Sequence, residues 1–106
     1  MISTIDSLSE YHSGVKTSEF VIIDFFATWC GPCIRIKPEF EKLSQKYPNV
    51  NFYQVDVDKN PDISTYCNIN CMPTFQYYHK GLLVDESSGA DITIITQKID
   101  QMIESM

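Results

Sequence analysis

The stretch Phe20-Val21-Ile22-Ile23-Asp24-Phe25-Phe26-Ala27 is apolar at almost every position and rich in β-branched and aromatic side chains. A continuous run of that length suits a strand covered on both faces, as in a parallel or mixed sheet. Upstream, Ile2 to Ile5 reads as a short edge strand. Ser7-Leu8-Ser9-Glu10 has capping-box spacing, in which a Ser oxygen and a Glu carboxylate each accept a free backbone N–H. Leu8, Tyr11 and Val15 then share one helical face, with Gly14 offering a stop. Downstream, Ile36, Phe40, Leu43 and Tyr47 recur at i, i+4, i+7 and i+11 and predict an amphipathic helix. Pro32 fits its first turn, whereas Pro38 lies inside, removes one ladder bond and should kink it. Val50 to Val57 predicts the next strand. Asn60-Pro61-Asp62 opens a turn or short helix carrying Tyr66 and Cys67. Thr74 to Tyr78 and Leu82 to Glu86 predict two strands joined by a Lys80-Gly81 hairpin. After Ser88-Gly89, Asp91 can cap a final helix with the face Ile92, Ile95, Ile99, Met102 and Ile103. The order β-α-β-α-β-α-β-β-α predicts an α/β domain, a mixed sheet of about five strands flanked by about four helices.

Composition narrows the picture. A chain of 106 residues is the length of one domain, here 1–106. It is long enough to bury a core without covalent staples. Charged residues make up 21% and the net charge is −6, which speaks against nucleic acid or anionic lipid as partners, since both need clustered Lys and Arg. The longest apolar run is far shorter than the roughly 20 residues of a membrane span. Met1 to Glu10 lacks the basic start and apolar segment of a secretory leader. The expected compartment is therefore the cytoplasm, where stable structural disulfides are rare. Against that background the four cysteines ask for a chemical explanation.

Trp29-Cys30-Gly31-Pro32-Cys33 follows the apolar strand directly and opens the predicted helix. Two cysteines at that spacing in a first helical turn can bond reversibly. Unpaired N–H groups and the positive dipole end favour a thiolate on Cys30, and thiolate is the attacking species. Cys33 lies further into the helix and suits the resolving role. Asp24 is a lone carboxyl in an apolar strand, so desolvation should raise its pKa. It reads either as a proton acceptor that deprotonates Cys33 through a water, or as a structural acid paired with Lys37.

These residues carry a resemblance. Val21 to Cys33 is similar to the thioredoxin family, as are Val55-Asp56-Val57-Asp58, Met72-Pro73-Thr74-Phe75 and the Ser88-Gly89-Ala90 turn. Lys37-Pro38, Cys67 and Cys71-Met72-Pro73 resemble its eukaryotic-type branch. The resemblance spans essentially the whole chain. It implies a thioredoxin fold and a protein-disulfide reductase, with Cys30 attacking a client disulfide and Cys33 releasing the product. The Cys30–Cys33 disulfide would be re-reduced by thioredoxin reductase with electrons from NADPH, and no cofactor would bind the chain. It also implies that Pro73 is cis and faces the disulfide, where the alternative is a plain strand-start proline. Trp29, Met72, Pro73, Gly89 and Ala90 would line a shallow apolar groove for disulfide-containing clients. Trp29, Gly31, Pro32, Lys37 and Pro73 would support the reactive pair. Ile34, Gln54 and Phe26 depart from residues common in the family, leaving Lys37 as the electrostatic candidate for Asp24.

Cys67 and Cys71 read as free thiols in a mainly monomeric protein. The alternatives are regulation through a Cys71-linked dimer or modification, and a Cys67–Cys71 bridge. His12 and His79 have no metal or triad partner at suggestive spacing. Three other functions compete: a four-thiolate zinc site, an oxidant or isomerase, and a non-catalytic redox-gated binder. The first is disfavoured because the leading pair opens a helix, where zinc knuckles favour flexible turns. Gly31-Pro32 points toward the reducing kind of exchange, against the second.

Overall fold

The computed structural model describes residues 1–105. Its elements are β1 (Ile2–Thr4), α1 (Leu8–Gly14), β2 (Phe20–Phe26), α2 (Gly31–Lys46), β3 (Val50–Asp56), α3 (Pro61–Tyr66), β4 (Thr74–His79), β5 (Leu82–Ser88) and α4 (Ile92–Glu104). The strands form one sheet in the order β1-β3-β2-β4-β5. β1, β3 and β2 run parallel, β4 is antiparallel to β2, and β5 is antiparallel to β4.

β2 is the central strand, and every residue from Phe20 to Phe25 is buried. Side chains alternate across a sheet, so β2 feeds two cores. Val21, Ile23 and Phe25 pack with Tyr11, Val15, Val55, Ile63 and Tyr78. Phe20 and Ile22 pack with Ile36, Phe40, Leu43, Phe52, Phe75, Ile95 and Ile99. The first core lies under α1 and α3, the second under α2 and α4.

Local chemistry sets the boundaries. Ser7 Oγ accepts the Glu10 N–H at 3.1 Å, and the Glu10 carboxylate accepts the Asp6 N–H at 2.7 Å. Asp91 caps α4 by accepting the N–H groups of Thr93 and Ile94. Lys80 and Gly81 both have positive φ, 52° and 81°, the signature of a tight hairpin turn whose twist matches its strands. α2 runs unbroken from Gly31 to Lys46 with Pro38 inside it.

Five strand ends differ from the sequence pattern: β1 stops at Thr4, short of Ile5, β4 runs on to His79, and the other three are those of β2, β3 and β5. Ala27 has left the sheet, and its carbonyl accepts the Cys30 N–H at 3.2 Å. Val57 lies beyond β3, where Asp56 Oδ1 accepts the Asp58 N–H at 3.0 Å and turns the chain. β5 continues to Ser88 because its ladder with Thr74 and Phe75 is unbroken by polarity.

Candidate functional site

The site is built where β2 hands over to α2. Cys30 is the N-cap of α2, and its sulfur accepts the Cys33 N–H at 3.2 Å. That N–H and the positive end of the helix dipole favour negative charge on the sulfur in the dithiol form. Cys30 and Cys33 are joined as a disulfide, with Cα atoms 5.3 Å apart. Cys33 is 1% exposed and Cys30 4%, so Cys33 is the more buried of the two by a small margin.

Met72 and Pro73 lie opposite. Their peptide bond is cis, as the resemblance implies. The Met72 carbonyl oxygen is 3.7 Å from Cys30 Sγ, within reach of the thiol hydrogen once the pair is reduced. The Pro73 carbonyl accepts the Gly89 N–H at 2.9 Å, which ties the β5–α4 turn to the same rim. Gly89 has φ 91° and open space where a Cβ would sit, so the backbone conformation alone demands glycine there. Met72, Pro73 and Gly89 therefore converge on Cys30, with Ala90 exposed beside them.

Trp29 is 68% exposed, and its indole N–H donates to Asp58 Oδ2 at 2.8 Å. That anchor has no local signal in the sequence. Val55 to Asp58 matched as a pattern, yet nothing in it signalled a partner for an indole. Gly31 and Pro32 form the exposed first turn of α2. The Arg35 guanidinium folds back over Gly31, 3.5 Å from where a Cβ would lie.

Asp24 is fully buried, and neither carboxylate oxygen has a hydrogen-bond partner. Burial pushes its pKa up to about 7, while the Lys37 charge pulls it down. The structural alternative of a direct Asp24–Lys37 pair is not what the fold forms. The Lys37 ammonium instead sits over the Phe26 ring, 4.3 Å from its centroid. Phe26, Ala27, Thr28, Cys33, Ile34 and Lys37 line an apolar hollow of about 180 Å³ beside the disulfide.

Cys67 and Cys71 are both free, Cys67 half-buried and Cys71 exposed. Cys67 lies against the Tyr11 and Tyr78 hydroxyls, and burial pushes its thiol up. The Tyr11 hydroxyl meets that of Tyr78 at 2.6 Å, and Tyr78 donates to Gln76 Oε1 at 2.6 Å. Among the described residues, no three or more His, Cys, Asp or Glu gather in a group that could hold a metal ion. His79 pairs with Glu19 at 3.0 Å, and His12 packs on Tyr11 and Tyr66.

A reversible Cys-x-x-Cys couple capping the helix after the central strand defines a thiol–disulfide oxidoreductase. The thioredoxin family model matches residues 3–104. Horse thioredoxin is 48% identical over 93 residues, covering 86% of this chain and 89% of its own. The structure of Plasmodium falciparum thioredoxin is similar with a TM-score of 0.90 at 40% identity, covering 93% of this chain and 97% of that one. Oxidised mitochondrial thioredoxin 3 from Saccharomyces cerevisiae gives 0.91 at 39%, covering 94% of both. The chain belongs to the thioredoxin family, and its Cys30–Cys33 pair makes it a protein-disulfide oxidoreductase.

Proposed function

We propose that the chain works in the reducing direction on disulfides of client proteins. The observation that carries this reading is the Cys30-Gly31-Pro32-Cys33 turn opening α2, whose Gly31-Pro32 pair points to the reducing kind of exchange. In the dithiol form, the Cys30 thiolate attacks one sulfur of a client disulfide, and the client's other sulfur leaves as a thiolate. Asp24 takes the proton of Cys33. The Cys33 thiolate then attacks Cys30 Sγ, and the client's second sulfur departs as electrons pass from the Cys30–Cys33 pair to the client. Two electrons have moved, and the pair is left oxidised.

Thioredoxin reductase, drawing on NADPH, restores the dithiol in this scheme. The electrons reside in the two sulfurs, so the scheme calls for no bound cofactor. Clients dock as extended segments along Trp29, Met72, Pro73, Gly89 and Ala90, with Gly31, Pro32 and Lys37 supporting the pair. The 1–106 chain acts as one domain, mainly as a monomer in the cytoplasm, with a Cys71-linked dimer as its oxidised side form. Membranes and nucleic acid play no part in the scheme. The free thiols Cys67 and Cys71 and the net charge of −6 support this placement.

Trapping tests the assignment of roles. Cys33→Ser should accumulate mixed disulfides on Cys30, and Cys30→Ser should accumulate none. Equal trapping by the two variants would refute the assignment. Insulin turnover coupled to a reductase and NADPH tests the direction, and absence of turnover would leave only a binding module.

A further inference from the structure

Lys37 is the natural ion-pair partner of Asp24, yet the fold seats it elsewhere. Asp24 and Phe26 are two residues apart in β2 and so lie on one face of the sheet. Cys33 and Lys37 are four apart in α2 and share one helix face. The Lys37 ammonium rests on the Phe26 ring at 4.3 Å, and both residues line the hollow that reaches Cys33. Neither Asp24 oxygen is bonded. We propose that Phe26 is a positioning residue, whose ring holds the Lys37 ammonium where it acts on the Asp24 carboxyl through space without pairing with it. This rests on the reading of Asp24 as the proton acceptor for Cys33.

The consequence is a tuned acid. A direct ion pair would fix Asp24 as a weakly basic carboxylate, unable to draw a proton from a thiol. With the ammonium lost to water, the carboxyl would hold its own proton at neutral pH. Other groups on the same face do not replace Lys37. β3 presents Gln54 and Asp56, β4 presents Phe75 and Tyr77, α2 adds Ile36 and Phe40, and α4 covers the face with Ile95 and Ile99. Lys37 is the charge that acts on Asp24. A ring face attracts a cation through its quadrupole, and an aliphatic side chain of similar size does not.

The test is a ¹³C NMR titration of the Asp24 carboxyl in the reduced protein. Phe26→Leu should release Lys37 to water and move the midpoint upward by about half a unit or more. Phe26→Tyr keeps a ring face and should restore the native midpoint, which separates positioning from a general packing fault. Lys37→Gln should also move the midpoint upward, and adding Phe26→Leu to it should move it no further. An unchanged or lowered midpoint in Phe26→Leu would overturn the proposal, as would a shift that persists undiminished in the Lys37→Gln background. The pH profile of client reduction is read on the same variants. A midpoint that moves while the profile stays fixed would remove Asp24 as the proton acceptor and leave the positioning role intact.

Discussion

Replacing Asp24 by Asn should make the protein more stable, by an amount set by pH. Asp24 is fully buried with both oxygens unbonded, and its pKa rises from 3.8 to about 7 on folding. The native state therefore keeps a proton that the unfolded chain gives up. Below pH 3.8 both states are protonated and the group is neutral in the balance. Between pH 3.8 and about 7 the native state binds one more proton than the unfolded state, so stability falls with rising pH. The slope is about 1.4 kcal/mol per pH unit. Across roughly three units that amounts to about 4 kcal/mol, reached near neutrality and constant above it. Asn cannot ionise but is equally buried. Its stability relative to the native chain should be close to zero at pH 4 and rise to about 4 kcal/mol by pH 8. Urea unfolding of the oxidised proteins at a series of pH values measures the difference. A difference that stays flat from pH 4 to pH 8 would refute the linkage argument.

Gly89→Ala should cost about 1–2 kcal/mol in urea unfolding, because a side chain is strained at φ 91° although nothing obstructs it. Gly31→Ala, in the first turn of a helix, serves as the unstrained comparison. Tyr78→Phe should cost about 1–3 kcal/mol, since it leaves the Tyr11 hydroxyl and Gln76 Oε1 without their buried partner. A loss under a few tenths would mean that water replaces the hydroxyl. In the oxidised protein, iodoacetamide at pH 8 should modify exposed Cys71 at least about tenfold faster than Cys67, whose thiol burial pushes up. Mass spectrometry of digests reads the two rates, and equal rates would contradict the burial of Cys67.

Where one interaction dominates locally, the sequence reads plainly. The apolar run of β2, broken only by Asp24, announces a strand covered on both faces, and Ser7 and Asp91 announce helix starts through their side-chain oxygens. The reactive pair is equally plain, because its chemistry depends on spacing within one helical turn. Strand ends are less legible. Ala27 and Val57 are apolar and extend the pattern, but the Cys30 N–H and the Asp56 carboxylate turn the chain at those points. Contacts across long separations leave no periodic trace. Trp29 and Asp58 are 29 residues apart, and only the fold brings the indole to that carboxylate. Lys37 shows the same limit from the other side. Charge alone pairs it with Asp24, whereas its geometry in α2 delivers it to Phe26.

Two positions around the β2–α2 junction depart from what stability alone would select. An N-cap is best filled by Ser, Thr, Asp or Asn, whose oxygen bonds a free N–H well. Cys30 fills it with a sulfur, a weaker acceptor, at 3.2 Å from the Cys33 nitrogen. A buried strand position is best filled by an apolar residue, yet Asp24 stands there unbonded, at a penalty of about 4 kcal/mol near neutrality. A domain of this size has a total stability of roughly 5–15 kcal/mol, so the penalty is a large share of it. The surrounding structure must hold both residues against the alternatives, and the covered central strand with α2 packed over it does so. Both departures fall around the β2–α2 junction, and the proposed exchange gives each of them a use. In the proposed exchange the cap readies Cys30 to attack, and the buried carboxyl, neutral at lower pH and ionised above about 7, is the base offered to the Cys33 proton.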